Sequence, residues 1–417
     1  MSRVVLSLVS VVAILVGGAA GCTSDKDGVA SRCVDMKREL EACVGTPARD
    51  LDCAAMSAED VARIEGAMDV VSCSAIAQGV TLDGDPKSAT CRLYGAGCVA
   101  SRTEAPSLTP TRYPVVLVNG IDDSPLFRYS DRIVRVVRDE GGHDVHLATL
   151  PSWSPTRVRA SALWKRIEEV RKATGAAKVN LVCHSLGGLD CRYVASPNGL
   201  RWDIDVSPET TASAIASVTT TATAHHGTRV ADVILGLAPD GDRTKTIDAF
   251  IAFTGGLFSS QQVEVEPKLR DALTALTTSD AARFEAEITD APGVYYQSFA
   301  GYSRPFGTGD ADHDARVLEA CAPDEGAPLA RVDHDYMALP LVPFADVAGK
   351  IDDGTLIPND GLVTVASARW GTFRGCIPAD HMEQLGQRNL PDANVRTGFD
   401  VARFYANVAS DLAERGF

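Results

Sequence analysis

The segment Cys183-His184-Ser185-Leu186-Gly187-Gly188 follows an apolar run, Lys178-Val179-Asn180-Leu181-Val182, and leads into a helix-compatible stretch. A serine in an ordinary loop is a poor nucleophile. At the apex of a tight strand-to-helix turn it stands clear of the sheet, open to a base on one side and a substrate on the other. Such a turn closes only with small residues around the serine. Gly187 is one, Gly188 lets the helix pack closely, and Cys183 stands where a glycine is usual. A buried strand ending in a chance Ser-x-Gly fits the short motif equally well. The strand before it and the helix after it favour a nucleophile.

A serine nucleophile on this kind of turn needs an acid and then a histidine, in that chain order. Of the eight histidines, His225, His226, His313, His334 and His381 follow Ser185. Asp360 lies in Ile357-Pro358-Asn359-Asp360-Gly361-Leu362-Val363, a sharp turn that sets its carboxylate in a loop beside the sheet. Beyond it only His381 remains. In this assignment His381 takes the serine proton while Asp360 holds the imidazole tautomer and stabilises the imidazolium. The oxyanion needs two backbone N–H donors. Leu186, the residue after the nucleophile, offers one, and Ile121 in Val118-Asn119-Gly120-Ile121 offers the other.

These residues must be carried by something, and the chain from Tyr113 onward supplies it. Val115 to Val118 is wholly apolar, as in a strand buried on both faces of a parallel sheet. Similar runs recur at 146–150, 179–183, 215–222 and 294–299, with a helix predicted over Val158–Lys172, where Leu163, Ile167 and Val170 share a face. Alternating strands and helices predict a doubly wound α/β sheet with its site at the carboxyl ends of the strands. The stretch Ile247, Phe250, Ile251, Phe253, Gly255-Gly256-Leu257-Phe258 reads either as a core helix or as a cover over the site.

Residues 1–21 read as a signal peptide: Arg3, an apolar run from Val4 to Val16, then Gly17-Gly18-Ala19-Ala20-Gly21-Cys22. Ala19-Ala20-Gly21-Cys22 is similar to a bacterial lipobox, with Cys22 lipidated after cleavage. The expected location is an outer-membrane or cell-surface anchor, Thr23 standing where an aspartate would favour the inner membrane. Cleavage at an ordinary small-x-small site would instead release a secreted protein. One of the 40 Lys+Arg lies in this segment, so its removal moves the formal charge from −15 to −16. So acidic a chain repels phosphate backbones, and nucleic acid is not an expected partner. Of 11 cysteines, those beyond Cys22 are even in number, which in an exported chain reads as a disulfide framework.

Residues 22–104 hold Cys33, Cys43, Cys53, Cys73, Cys91 and Cys98, no histidine and few large apolar groups. They predict a small helical module stapled by three disulfides of open connectivity, including a helix-like stretch from Ser57 to Val71, followed by a linker over Ser101–Arg112. A metal-binding cysteine cluster is disfavoured because no Cys-x-x-Cys pair occurs. The catalytic domain is expected over 105–417.

Several collinear blocks resemble the bacterial true lipases of the Pseudomonas/Burkholderia type, α/β-hydrolases acting on long-chain acylglycerols. They include Tyr113 to Val118, Lys178 to Gly188 with Cys191-Arg192-Tyr193, Ser217 to Thr220, and His225 to Asp232. Later blocks are Gly293 to Tyr296, Pro358 to Val363, and Asp380-His381-Met382-Glu383-Gln384-Leu385. The resemblance implies the α/β-hydrolase fold, a Ser185–Asp360–His381 triad, oxyanion donors at Ile121 and Leu186, and a lipid or ester substrate. It also implies a structural calcium ion held by Asp335, Glu383 (where the family has aspartate), Gln387 and the Pro391 carbonyl. All four would offer the oxygen donors calcium takes. A late disulfide between Cys321 and Cys376, and a dedicated foldase chaperone as in some relatives, belong to the same expectation. Departures are Asn119 for a histidine, the block Ala222-Thr223-Ala224-His225, and Cys183. For Cys183 and Cys191, a bond across the turn and two buried free thiols both stand. A short-chain or polyester esterase is the nearest alternative function. A non-catalytic surface binding protein on a hydrolase scaffold is the alternative from another class, and the retained Ser, Asp and His argue against it.

Overall fold

A computed structural model describes residues 26–44, a few positions between 53 and 61, and 109–417 apart from 201–207, 239–240, 306–310, 326–334, 350–355 and 388–398. The leader, the Cys22 lipobox, Pro391, most of the expected helix at 57–71 and most of the linker lie outside them. In the cysteine-rich region, helix α1 (Lys26–Val44) carries Cys33, which is bonded to Cys53.

The core is one six-stranded sheet in the order β2-β1-β3-β4-β5-β6, every neighbouring pair parallel. Its strands are β1 (Val115–Val118), β2 (Val145–Ala148), β3 (Val179–His184), β4 (Ile215–Thr221), β5 (Tyr295–Gly301) and β6 (Thr372–Ile377). All residues of β1, β3 and β4 are buried, because helices cover both faces and leave no side of these strands in water. Alternation sorts their side chains. Val115, Leu117 and Val182 join one cluster, with α6 (Val342–Gly349) and α7 (Val401–Glu414). Val116, Val118, Leu181 and Cys183 join another, with α2 (Thr156–Thr174) and α3 (Leu186–Ala195). Helices α4 (Arg229–Ile234) and α5 (Arg243–Phe253) follow β4.

Five strands fall where the apolar runs predict them. The sixth is missing from that reading. In Thr372-Phe373-Arg374-Gly375-Cys376-Ile377 a cation and a glycine interrupt the apolar pattern. The structure resolves this with a register shift against β5 and Gly375 at φ +106°, a conformation that glycine adopts without a Cβ clash. The expected Cys321–Cys376 disulfide closes a 55-residue separation onto this edge, a constraint of roughly 4 kcal/mol in chain-entropy terms.

The chain runs outward from β1 to β2 and then returns to β3 on the other side of β1. The strand order reverses there, and at such a switch point the loops after two adjacent strands splay apart and leave a crevice. Those two loops are Asn119-Gly120-Ile121 and the turn at Ser185.

Candidate active site

Ser185 stands between β3 and α3 at φ +54°, ψ −130°, a region that non-glycine residues occupy only when their surroundings enforce it. Its N–H donates to the Thr221 carbonyl (3.0 Å), and its own carbonyl accepts from the Gly188 N–H (2.9 Å) and the Thr223 hydroxyl (2.9 Å). The helix comes in so close that a Cβ on Gly187 would lie 2.4 Å from the Asn119 carbonyl oxygen, and one on Gly188 2.0 Å from Thr223 Oγ1. Both glycines are therefore steric requirements of the turn.

The structure brings the three predicted side chains together. His381 Nε2 lies 3.0 Å from Ser185 Oγ, and His381 Nδ1 lies 2.9 Å from Asp360 Oδ2. A carboxylate only accepts, so the imidazole proton sits on Nδ1 and Nε2 is left to accept from the serine hydroxyl. Asp360 is 1% exposed, and its charge is met by donors. Oδ1 accepts from the N–H groups of Leu362 (3.0 Å) and Val363 (2.8 Å), and Oδ2 also accepts from Gln384 Nε2 (3.3 Å). The neighbour His184 is buried and donates from Nε2 to the His381 carbonyl (2.9 Å). Burial, with His381 close by, holds its pKa well below the usual range, so it stays neutral.

The loop bearing His381 is bound mainly by Asp380, an unforeseen contributor. Its Oδ1 accepts from the N–H groups of Met382 (2.9 Å) and Glu383 (2.8 Å), and its Oδ2 from the Ala338 N–H (2.8 Å). The Tyr405 hydroxyl donates to the Gln384 carbonyl (2.9 Å) and ties the same loop to α7.

On the other side of Ser185, two further residues were not foreseen. Arg159 and Asp190 form a fully buried ion pair, Nε to Oδ2 at 2.8 Å. The remaining guanidinium donors reach the backbone: Nη2 to the carbonyls of Gly120 (2.5 Å) and Asn119 (3.2 Å), Nη1 to those of Ile121 (3.4 Å) and Pro151 (3.2 Å). In a trans peptide the C=O and the following N–H point in opposite directions. Pulling the Gly120 carbonyl onto Arg159 therefore turns the Ile121 N–H away from the arginine. The Leu186 N–H is one of the unpaired donors at the start of α3. Burial pushes the Asp190 carboxyl up to about 6 despite its arginine partner, and its second oxygen has no hydrogen bond. Asn119 braces this loop by donating from Nδ2 to Asp123 (2.8 Å). One sequence signal existed: Arg159 falls on the helix face that carries Leu163, Ile167 and Val170.

Ser185 and His381 open on a pocket lined mostly by apolar groups, among them Ile121, Phe127, Trp153, Ile234, Phe250 and Phe253, with His184 and Thr228 as its other polar residues. Helix α5 supplies Phe250 and Phe253, so this stretch packs in the core and lines the pocket, while Leu257 beyond it is exposed. Cys183 and Cys191 are disulfide-bonded, which decides between the two readings of that pair.

Of the residues expected to hold calcium, Asp335 and Glu383 are buried, on segments joined by the Ala338–Asp380 hydrogen bond. Glu383 Oε2 also accepts from the Asp380 N–H (3.1 Å), and the Gln387 amide nitrogen donates to the Arg128 carbonyl. Among the described residues no group of three or more His, Cys, Asp and Glu forms a metal cluster. Carboxylate and side-chain amide oxygens, as on Asp335, Glu383 and Gln387, are the donor type that a hard cation takes.

No family model matches the chain. It is 32% identical to a triacylglycerol lipase of Burkholderia plantarii over 52% of this chain and 55% of that protein. It is 34% identical to a triacylglycerol lipase of Pseudarthrobacter phenanthrenivorans over 45% and 57%. A Staphylococcus hyicus lipase structure superposes with a TM-score of 0.46 at 16% identity, covering 75% of this chain and 97% of that one. The chain thus spans little more than half the length of the curated relatives it matches. The resemblance drawn from the motifs is found again in these relatives: over about half its length this parallel-sheet α/β chain is similar in sequence to triacylglycerol lipases of bacteria.

Proposed function

We propose that this protein is an exported carboxylic ester hydrolase that cleaves acylglycerols through an acyl-serine intermediate. One observation carries the reading: the continuous chain from Ser185 Oγ through His381 to the buried Asp360 carboxylate, opening on an apolar pocket. Curated relatives named triacylglycerol lipase support the substrate class.

In this reaction Ser185 Oγ bonds to the substrate carbonyl carbon as its proton passes to His381 Nε2. The imidazolium is stabilised by Asp360. The carbonyl oxygen becomes an oxyanion facing the N–H groups of Ile121 and Leu186. Collapse expels the alcohol, which takes the proton from His381, and leaves the acyl group on Ser185. Water then attacks the acyl carbon, again giving its proton to His381, and the fatty acid departs with the serine restored. The apolar lining receives the acyl chain, which gains about 0.8 kcal/mol per buried methylene.

Calcium held by Asp335, Glu383, Gln387 and Pro391 would pin the His381 loop without entering the chemistry. Lipidation at Cys22 would place the enzyme at an outer membrane or cell surface, with 22–104 as a separate module before the catalytic domain at 105–417. A foldase chaperone belongs to the same proposal.

A fluorophosphonate probe is expected to label the folded protein, with labelling absent in Ser185→Ala. Rates on esters of graded acyl length are expected to favour long chains presented as an emulsion. Chelation is expected to lower the melting temperature, with recovery on adding calcium. Absence of labelling in folded protein overturns the enzyme reading. Labelling with a preference for short soluble esters converts it to an esterase.

A further inference from the structure

The Cys183–Cys191 disulfide spans the turn that carries the nucleophile. Cys183 lies two residues before Ser185 on β3, and Cys191 lies six residues after it in α3. Both are fully buried, packed in the cluster that includes Val118, Leu181 and Val194. β3 is itself held on both sides, with Cys183 in register with Val118 of β1 and Thr220 of β4. The helix has no slack either, given the close approaches at Gly187 and Gly188.

We propose that this cystine makes the hydrolase sensitive to reductant: reduction to two buried thiols wedges β3 from α3 and disables the Ser185 nucleophile. The inference rests on the hydrolase reading above and identifies a redox-sensitive pair beside the nucleophile, outside the catalytic machinery itself. The reason is dimensional. Bonded sulfurs sit about 2 Å apart, whereas non-bonded heavy atoms need roughly 3.5–4 Å. A dithiol reductant gives two electrons and two protons to the bond and is itself oxidised to a disulfide. The two thiols so formed need more length in a close-packed interior. Strand and helix are then wedged apart beside a backbone conformation that only its surroundings maintain. A 1 Å misplacement of a reacting group is enough to cost about 10²-fold in rate. Two alanines in place of the cysteines remove the wedge along with the bond.

The test titrates the full-length protein with dithiothreitol and follows three readouts. These are alkylation of Cys183 and Cys191 by mass spectrometry, the rate of fluorophosphonate labelling at Ser185, and kcat and KM on a soluble ester. As this pair is reduced, labelling and kcat are expected to fall together by about 10–100-fold while KM moves less than about threefold. Both are expected to return on reoxidation with oxidised glutathione. Cys183→Ala/Cys191→Ala is expected to melt earlier yet keep kcat within about fivefold of the oxidised protein. Cys321→Ala/Cys376→Ala is expected to remain as sensitive to reductant as the parent. Undiminished labelling with the 183–191 pair reduced overturns the proposal, as does an alanine pair that is as impaired as the reduced protein. Failure of the hydrolase reading looks different, because then even the oxidised protein is not labelled.

Discussion

The two sides of Ser185 are held by different means. On the His381 side the Asp360 carboxylate is met by short-range donors, two of them backbone N–H groups of the turn it belongs to. On the Ile121 side the loop is held by a buried cation that reaches three of its carbonyls, and a fourth at Pro151, from a helix nearly forty residues further along the chain. The first arrangement is partly local, two of the four hydrogen bonds to the carboxylate coming from the turn itself. The second is assembled by the tertiary fold, and it sets two charges out of water. A buried ion pair is weak support for stability, because desolvation offsets its attraction. What Arg159 and Asp190 contribute is orientation of a peptide group.

The largest effect should come from the local side. Asp360→Asn is expected to lower kcat by about 10⁴-fold with folding retained, since it removes the partner that sets the imidazole tautomer. Single-turnover and steady-state rates on a soluble ester measure this. Next is Arg159→Lys, which keeps the charge but loses the fork that reaches several carbonyls. A drop in kcat of about 10²–10³-fold with little change in KM is expected, equivalent to losing one oxyanion donor. An unchanged kcat would erase the contrast between the two sides.

Asp190→Asn sharpens the contrast through pH. The folded carboxyl titrates at about 6 against an ordinary 3.8, so between these values the folded state holds more protons than the unfolded one. Stability contributed by this group therefore grows as pH falls through about 6 and is lost as pH rises. Thermal melts are expected to show the wild type gaining on Asp190→Asn as pH is lowered from 8 to 5, with a loss of kcat of about tenfold in the variant at pH 8. A smaller effect is expected of Gln384→Leu, which removes the longest of the four hydrogen bonds to Asp360. A loss of severalfold in kcat, on the order of 1 kcal/mol, is the expected result of rate measurements.

The same division decides what could be read in the chain itself. Ser185, Asp360 and His381 were legible because each sits in a turn whose own residues dictate its geometry, and their order along the chain is constrained. Five strands were legible as short runs rich in apolar and β-branched residues, wholly buried in β1, β3 and β4. β6 was hidden by Arg374 and Gly375, which serve a bulge rather than a regular ladder. Arg159 and Asp190 were hidden because neither turn chemistry nor periodicity announces a partner across two helices. Asp380 was only one residue of a matched block, with no local signal that it is fully buried and binds three backbone N–H groups. The cystine at 183–191 lay between, since spacing allowed it without requiring it.

Trp153 donates its backbone N–H to the Ile121 carbonyl (2.9 Å), while its ring stands edge-on to Phe127, Phe250 and Phe258. One residue thus touches both the loop bearing Ile121 and the helix that lines the apolar pocket. Its indole is a built-in optical probe. Displacement of that helix would strip aromatic neighbours from a fluorophore that also contacts the Ile121 loop, and with the other three tryptophans replaced its emission reports such a displacement without an added label.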